Sequence, residues 1–208
     1  MTRQIAVRSE RETLSATLYG ELPQRRAAIL VHGQNWNADG WAGEAPSFPA
    51  RGIPALALDL RGHGRSTGTT DDFVPGKPWS PVADLAAAKA YLREQGVREI
   101  ALIGASLGGH AVLASSWERD NECLVTISAP VVAVPDELSR RVHGRKLYVC
   151  AQHDRSGAFP HVLESFAALA EPKMLVAFGG EAHSRWMFDE PYGRGMLELI
   201  LDFVAQGL

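Results

Sequence analysis

Residues Gly104-Ala105-Ser106-Leu107-Gly108 stand between an apolar run, Glu99-Ile100-Ala101-Leu102-Ile103, and an Ala- and Leu-rich stretch over 107–117. The run reads as a buried strand and the stretch after it as a helix. A serine on so sharp a strand-to-helix turn sits in a strained backbone conformation with its hydroxyl held clear of the main chain. Glycines two residues to either side remove side chains that would collide where strand and helix cross. Ser106 is therefore read as a nucleophile rather than as a serine capping a helix.

Outward from this turn, apolar runs alternate with helical patterns. Residues 4–8 and 14–19 alternate in polarity and are expected to form an antiparallel pair at a sheet edge. Further strands are expected at 27–31, 53–58, 99–103, 123–128, 146–150 and 174–178. All six are near-continuously apolar, as parallel strands covered on both faces would be. Helices are expected at 41–50, 81–94, 107–117, 159–170 and 192–205, with a short helical turn over 135–141. For the helix at 81–94, Ser80 is the expected cap, Pro81 suits the first turn, and Gly96 ends it. Val82, Leu85, Ala88 and Leu92 give that helix one apolar stripe. The alternation predicts an α/β fold: one domain over 1–208, with helices on both faces of a mostly parallel sheet of about seven or eight strands. The unpatterned stretch 61–79 is expected to be a long loop.

Composition sets the remaining bounds. The chain has 208 residues, 46% hydrophobic and 22% charged, with a formal net charge of -3 and no long run of one sign. That balance points to neither a nucleic acid nor a membrane surface as partner. The first ten residues lack an apolar core of signal-peptide length, so a cytoplasmic protein is the expectation. Cys123 and Cys150 fall in different apolar runs and are read as buried thiols.

A serine nucleophile needs a base, an orienting acid and donors for the developing oxyanion. In an open parallel sheet these come from loops at the carboxyl ends of strands. His32-Gly33-Gln34-Asn35 follows the strand ending at Val31. Its glycine lets a following amide turn into the site, so the N–H groups of Gln34 and Leu107 are the candidate oxyanion hole. The side chain of Gln34 or Asn35 could add a donor or touch substrate. Ala151-Gln152-His153-Asp154 follows the strand ending at Cys150, and Gly179-Gly180-Glu181-Ala182-His183 follows the last strand. His183 is the candidate base and Asp154 the candidate acid, with Asp136 its rival after the preceding strand. His32 and His63 precede turn glycines and read as structural; His110 lies on the helix after the elbow. No His or Cys cluster has metal-ligand spacing, and no Gly-rich phosphate loop occurs. Neither a metal nor another cofactor is expected.

With these pieces the chain resembles the α/β-hydrolase superfamily over nearly all its length. A further matching piece is Asp59-Leu60-Arg61-Gly62-His63-Gly64-Arg65-Ser66, similar to a turn that many of these hydrolases carry. The resemblance implies a structural role for it, with Asp59 and Arg61 tying the loop. Residues 129–145 leave room for little more than a short helix, so the chain resembles small members without a cap, such as dienelactone hydrolases and compact serine esterases. Serine at 106 departs from the cysteine of similar dienelactone hydrolases and from the aspartate of related dehalogenases. The resemblance implies hydrolysis of a small-molecule ester or thioester through an acyl-enzyme. A thioesterase, an amidase or peptidase, and an acyltransferase would use the same groups; a non-catalytic scaffold would have no need to keep them together. Of the five tryptophans, Trp36 beside the oxyanion loop and Trp186 past the base are expected to meet substrate, with Met187 and Phe188 on the same wall.

Overall fold

The computed structural model describes residues 1–74, 76–115, 121–131, 142 and 144–206. Eight strands form one sheet: β1 (Thr2–Ser9), β2 (Glu12–Tyr19), β3 (Arg26–Val31), β4 (Ala55–Leu58), β5 (Glu99–Ala105), β6 (Asn121–Ile127), β7 (Arg145–Ala151) and β8 (Lys173–Phe178). Their order is β1-β2-β4-β3-β5-β6-β7-β8. β1 pairs antiparallel with β2, and β2 with β4; every pairing from β4 onward is parallel. Among the described residues the main helices are α1 (Ser80–Glu94), α2 (Leu107–Ser115), α3 (Ala158–Ala168) and α4 (Gly193–Ala205).

Side chains along β5 point alternately to the two faces of the sheet, and each face feeds its own core. Ile100 and Leu102 join Leu85 and Leu92 of α1, Val112 of α2 and Val162 of α3. Ala101, Ile103 and Ala105 instead join Trp41, Phe48 and the α4 residues Met196, Ile200 and Phe203. Each fully buried Leu or Ile contributes about 1.5–3 kcal/mol over an exposed one. The apolar runs of β3 to β7 thus follow from cover on both sides. β8 differs from the expectation of double cover: Met174 is exposed and its neighbours are half-buried. It is an edge strand, with one flank and part of each face open.

Two further expectations change. Residues 41–50 do not form one helix but three short 3-10 turns, Ala38–Trp41, Ala45–Ser47 and Pro49–Arg51. Pro46 and Pro49 each lack the N–H that a helix interior requires, and their rings clash with the preceding turn. Ser80 does not cap α1; it is the first helical residue. Its N–H donates to Asp71 Oδ1 at 2.9 Å, and its hydroxyl bonds the same carboxylate. The cap therefore comes from the 61–79 loop. Trp117, the turn expected at 135–141 and Asp136 lie outside the described residues.

Buried charge pins that loop. Asp84 of α1 is fully buried and accepts from the Arg61 N–H at 2.8 Å, from Arg61 Nε and Nη2 at 3.0 and 2.7 Å, and from Ser9 Oγ at 2.8 Å. The Asp84 hydrogen bonds outweigh burial and raise the Arg61 guanidinium above its ordinary range. Asp59, also fully buried, accepts from the N–H groups of Ala38 at 2.6 Å and Arg65 at 2.9 Å.

His32 is fully buried and His110 half-buried against aromatic rings. The Leu60 N–H donates to His32 Nε2 at 3.1 Å, so the ring proton is on Nδ1 and donates to the Gly33 carbonyl at 2.8 Å. Burial pushes His32 down to about 4. His110 on α2 packs against Phe73 and Trp79, with ring centroids 4.3 and 4.9 Å away, and burial pushes it down to about 4 as well.

Asp84→Ala takes the buried carboxylate from Arg61, which keeps the exposed Glu10 at 2.9 Å, and should cost about 3 kcal/mol of unfolding free energy. Urea denaturation checks this, and a loss below about 1 kcal/mol would refute it. The histidines set a pH dependence. Below about pH 6.5 the unfolded chain binds protons at both positions that the folded chain refuses until about pH 4. Their contribution is complete above pH 6.5 and is lost between 6.5 and 4. Unfolding free energy should therefore drop from pH 7 to pH 5, and His110→Phe should flatten part of the drop. Equal stability at the two pH values would contradict this.

Candidate active site

Ser106 follows β5 directly and has φ of 52°, in the left-handed region that a side chain rarely adopts. The close crossing of β5 and α2 forces this turn. A Cβ on Gly104 would collide with the Gly108 carbonyl, and one on Gly108 with the carbonyls of Val31 and His32. The Ser106 N–H donates to the Ile127 carbonyl at 2.8 Å, fixing the turn to β6.

β7 and β8 deliver the next two groups. Asp154 lies three residues past β7 and His183 five past β8. The two loops are laced by main-chain bonds from His153 N to Gly180 O at 3.1 Å and from Arg155 N to Glu181 O at 3.0 Å. His183 Nδ1 lies 2.9 Å from both carboxylate oxygens of Asp154, and Nε2 lies 2.9 Å from Ser106 Oγ. Facing a carboxylate, Nδ1 carries the ring proton, which leaves Nε2 as acceptor for the serine hydroxyl. The Asp154 side chain is fully buried and the His183 side chain 17% exposed. Burial works to raise the Asp154 carboxyl. Hydrogen bonds from His183 and from the Ser156 N–H outweigh it and hold the group below its ordinary value. Cys150, 3.8 Å from Asp154 Oδ2, is pushed up to about 12 by burial and by that carboxylate, so it stays a neutral thiol.

The chain after β3 runs against Ser106: a Cβ on Gly33 would lie 3.4 Å from Ser106 Cβ. The Gly33 carbonyl accepts from His32 Nδ1 at 2.8 Å and from the Trp36 N–H at 3.0 Å. That carbonyl and the Gln34 N–H belong to one trans peptide, so the N–H points the opposite way. The Gln34 and Asn35 side chains are exposed. Leu107 opens α2 immediately after the nucleophile.

Trp36 and Trp186 meet edge to face at 5.5 Å. Two other expectations for this wall change. Met187 is fully buried beneath the site, where Ser128 Oγ approaches its sulfur at 3.5 Å, and Phe188 packs on Trp41 at 5.9 Å. In a 3-10 turn the residues after Trp186 rotate inward. Sequence reasoning missed Arg185. Its guanidinium lies 5.0 and 5.1 Å from the rings of Trp36 and Trp186 and pairs with Asp189 at 3.0 Å. A cation two residues past His183 was the available signal. Arg185 also lines a small cavity with Gly33, Trp36, Trp41 and Ala105. Among the described residues, no group of three or more His, Cys, Asp or Glu is placed to hold a metal ion, and no helix is long and apolar enough to cross a membrane.

Comparison with known proteins agrees with this architecture. The 2-succinyl-6-hydroxy-2,4-cyclohexadiene-1-carboxylate synthase of Pectobacterium atrosepticum is 30% identical over 144 residues, which is 66% of this chain and 52% of that protein. A thiohydrolase of Arthrinium phaeospermum is 31% identical over 200 residues, 94% of this chain and 61% of that protein. The chain thus spans little more than half the length of these curated relatives. The solved dienelactone hydrolase of Anabaena variabilis superposes with a TM-score of 0.79 at 17% identity, covering 100% of this chain and 98% of that one, a likeness of fold. A family model described as the alpha/beta hydrolase family matches residues 28–207. The chain belongs to the α/β hydrolase family.

Proposed function

We propose that the protein is a serine hydrolase that cleaves a small carboxylic ester through an acyl-enzyme, with Ser106, His183 and Asp154 as its catalytic triad. The observation that carries this reading is the chain of contacts from Ser106 Oγ through both nitrogens of His183 to Asp154, each 2.9 Å long. His183 takes the Ser106 proton as the oxygen attacks the carbonyl, then gives it to the leaving alcohol. Asp154, ionised and buried, holds the Nδ1–H tautomer and stabilises the imidazolium. The N–H groups of Gln34 and Leu107 receive the oxyanion; the anchoring of the Gly33 carbonyl by His32 and Trp36 supports this role for Gln34. Water activated by His183 then releases the acid. Trp36 and Trp186 flank the bound substrate, and Asn35 lies at the mouth.

Thioester hydrolysis is the second reading. The likeness to a thiohydrolase along 94% of this chain favours it. A thioester would use the same acyl-enzyme, and the better leaving group makes less demand on His183 as acid.

Ser106→Ala should lower turnover of a short-chain chromogenic ester by roughly 10⁴- to 10⁶-fold with the urea midpoint little changed. Asp154→Asn should lower it by roughly 10²- to 10⁴-fold, far more than Asp136→Asn does. Steady-state kinetics on purified variants check both. Wild-type turnover in Ser106→Ala would refute the mechanism, and the reverse ranking of the aspartates would move the acid to position 136.

A further inference from the structure

Three non-glycine residues at the site hold left-handed backbone: Ser106 at 52°, Ser128 at 50° and Ser184 at 59°. Such conformations persist only where surrounding structure over-determines them. Ser106 is explained by the elbow and Ser184 by the turn that follows His183. Ser128 is left, fully buried directly after β6.

Its position is unusual because β6 lies between the nucleophile's strand and the acid's strand. The carbonyl of Ile127 accepts from the Ser106 N–H at 2.8 Å, and the Ser128 N–H donates to the Val149 carbonyl of β7 at 2.8 Å. Ser128 Oγ accepts from the Ser184 N–H at 3.0 Å, one residue past His183. The thiol of Cys150 lies 3.8 Å from this hydroxyl and 3.8 Å from Asp154 Oδ2. Two adjacent residues therefore touch the chain segments that carry all three groups. Glycine would adopt φ of 50° without strain. A serine there keeps the strain in exchange for a hydroxyl that satisfies a buried N–H beside the base.

We propose that Ser128 is a positioning residue, whose hydroxyl sets the placement of the His183 loop against Ser106 and Asp154. The proposal rests on the serine-hydrolase reading above, and the test separates the two. The position needs an acceptor oxygen on a one-carbon arm with a left-handed backbone. Ser128→Gly keeps that backbone and removes the oxygen. A loss of alignment slows the step at Ser106 and leaves the encounter with a ligand unchanged, because no part of Ser128 is exposed to a ligand.

Wild type, Ser128→Gly and Ser106→Ala are treated with a fluorophosphonate, and covalent labelling is followed by intact mass. The maximal labelling rate of Ser128→Gly should fall by about 10- to 100-fold, with the half-saturating concentration within about threefold of wild type. Ser106→Ala should stay unlabelled. Labelling of folded Ser128→Gly at the wild-type rate would overturn the positioning role alone. Wild type that resists the reagent, or Ser106→Ala that accepts it, would overturn the reading beneath it. If Ser128→Gly does not fold, Ser128→Ala decides the matter by the same comparison.

Discussion

The near-contact of β5 with α2 is the constraint on which the site depends. Two glycines, at 104 and 108, let main chain pass main chain where a Cβ would intrude on a carbonyl. The turn between them then has one course, and it lifts Ser106 into left-handed geometry on a central strand. Because every strand from β3 to β8 runs parallel, the loops that follow them share one rim. His183, three strands away, then comes within hydrogen-bond reach of that serine, and Asp154, two strands away, within reach of the other nitrogen of His183.

Buried polarity holds this rim in place. Asp84 and Asp59 are carboxyl groups without exposure: Arg61 of the long loop after β4 and Ser9 of β1 donate to the first, and the N–H groups of Ala38 and Arg65 to the second. His32 is neutral and bridges the Leu60 N–H to the Gly33 carbonyl, linking the segments after β4 and β3. At the far side Arg185 lies near two tryptophans and joins the segment after β3 to the one after β8. The region around Ser106 is thereby fixed by directional bonds, while apolar burial stabilises the layers beneath.

Much of this was legible in the order of residues because the signals are local. A parallel strand buried on both faces writes itself as an unbroken apolar run, and all eight strands were readable in that way or by alternation. The elbow was readable because its glycines meet a local steric demand, and the positions of Asp154 and His183 because they follow strands. What escaped depends on contacts made across the chain. Asp71 caps a helix that begins nine residues later, so Ser80 beside the helix looked like the cap. Two prolines inside 41–50 carried a warning that the apolar spacing masked. The open flank of β8 is a property of sheet order, which its own residues do not express. Ser128 carried no motif at all, and Arg185 only its place after His183; the Ser184 N–H that Ser128 accepts and the Trp36 ring beside Arg185 lie 56 and 149 residues away in the chain.

The central claim is that catalysis passes through an ester bond to Ser106. Rapid acid quench after mixing with p-nitrophenyl acetate, followed by peptide mapping by mass spectrometry, tests it most directly. An acetyl group on the peptide that contains Ser106, formed before steady state and lost as substrate runs out, is the predicted result. Turnover with no covalent adduct, or with the acetyl group on another peptide, would contradict it.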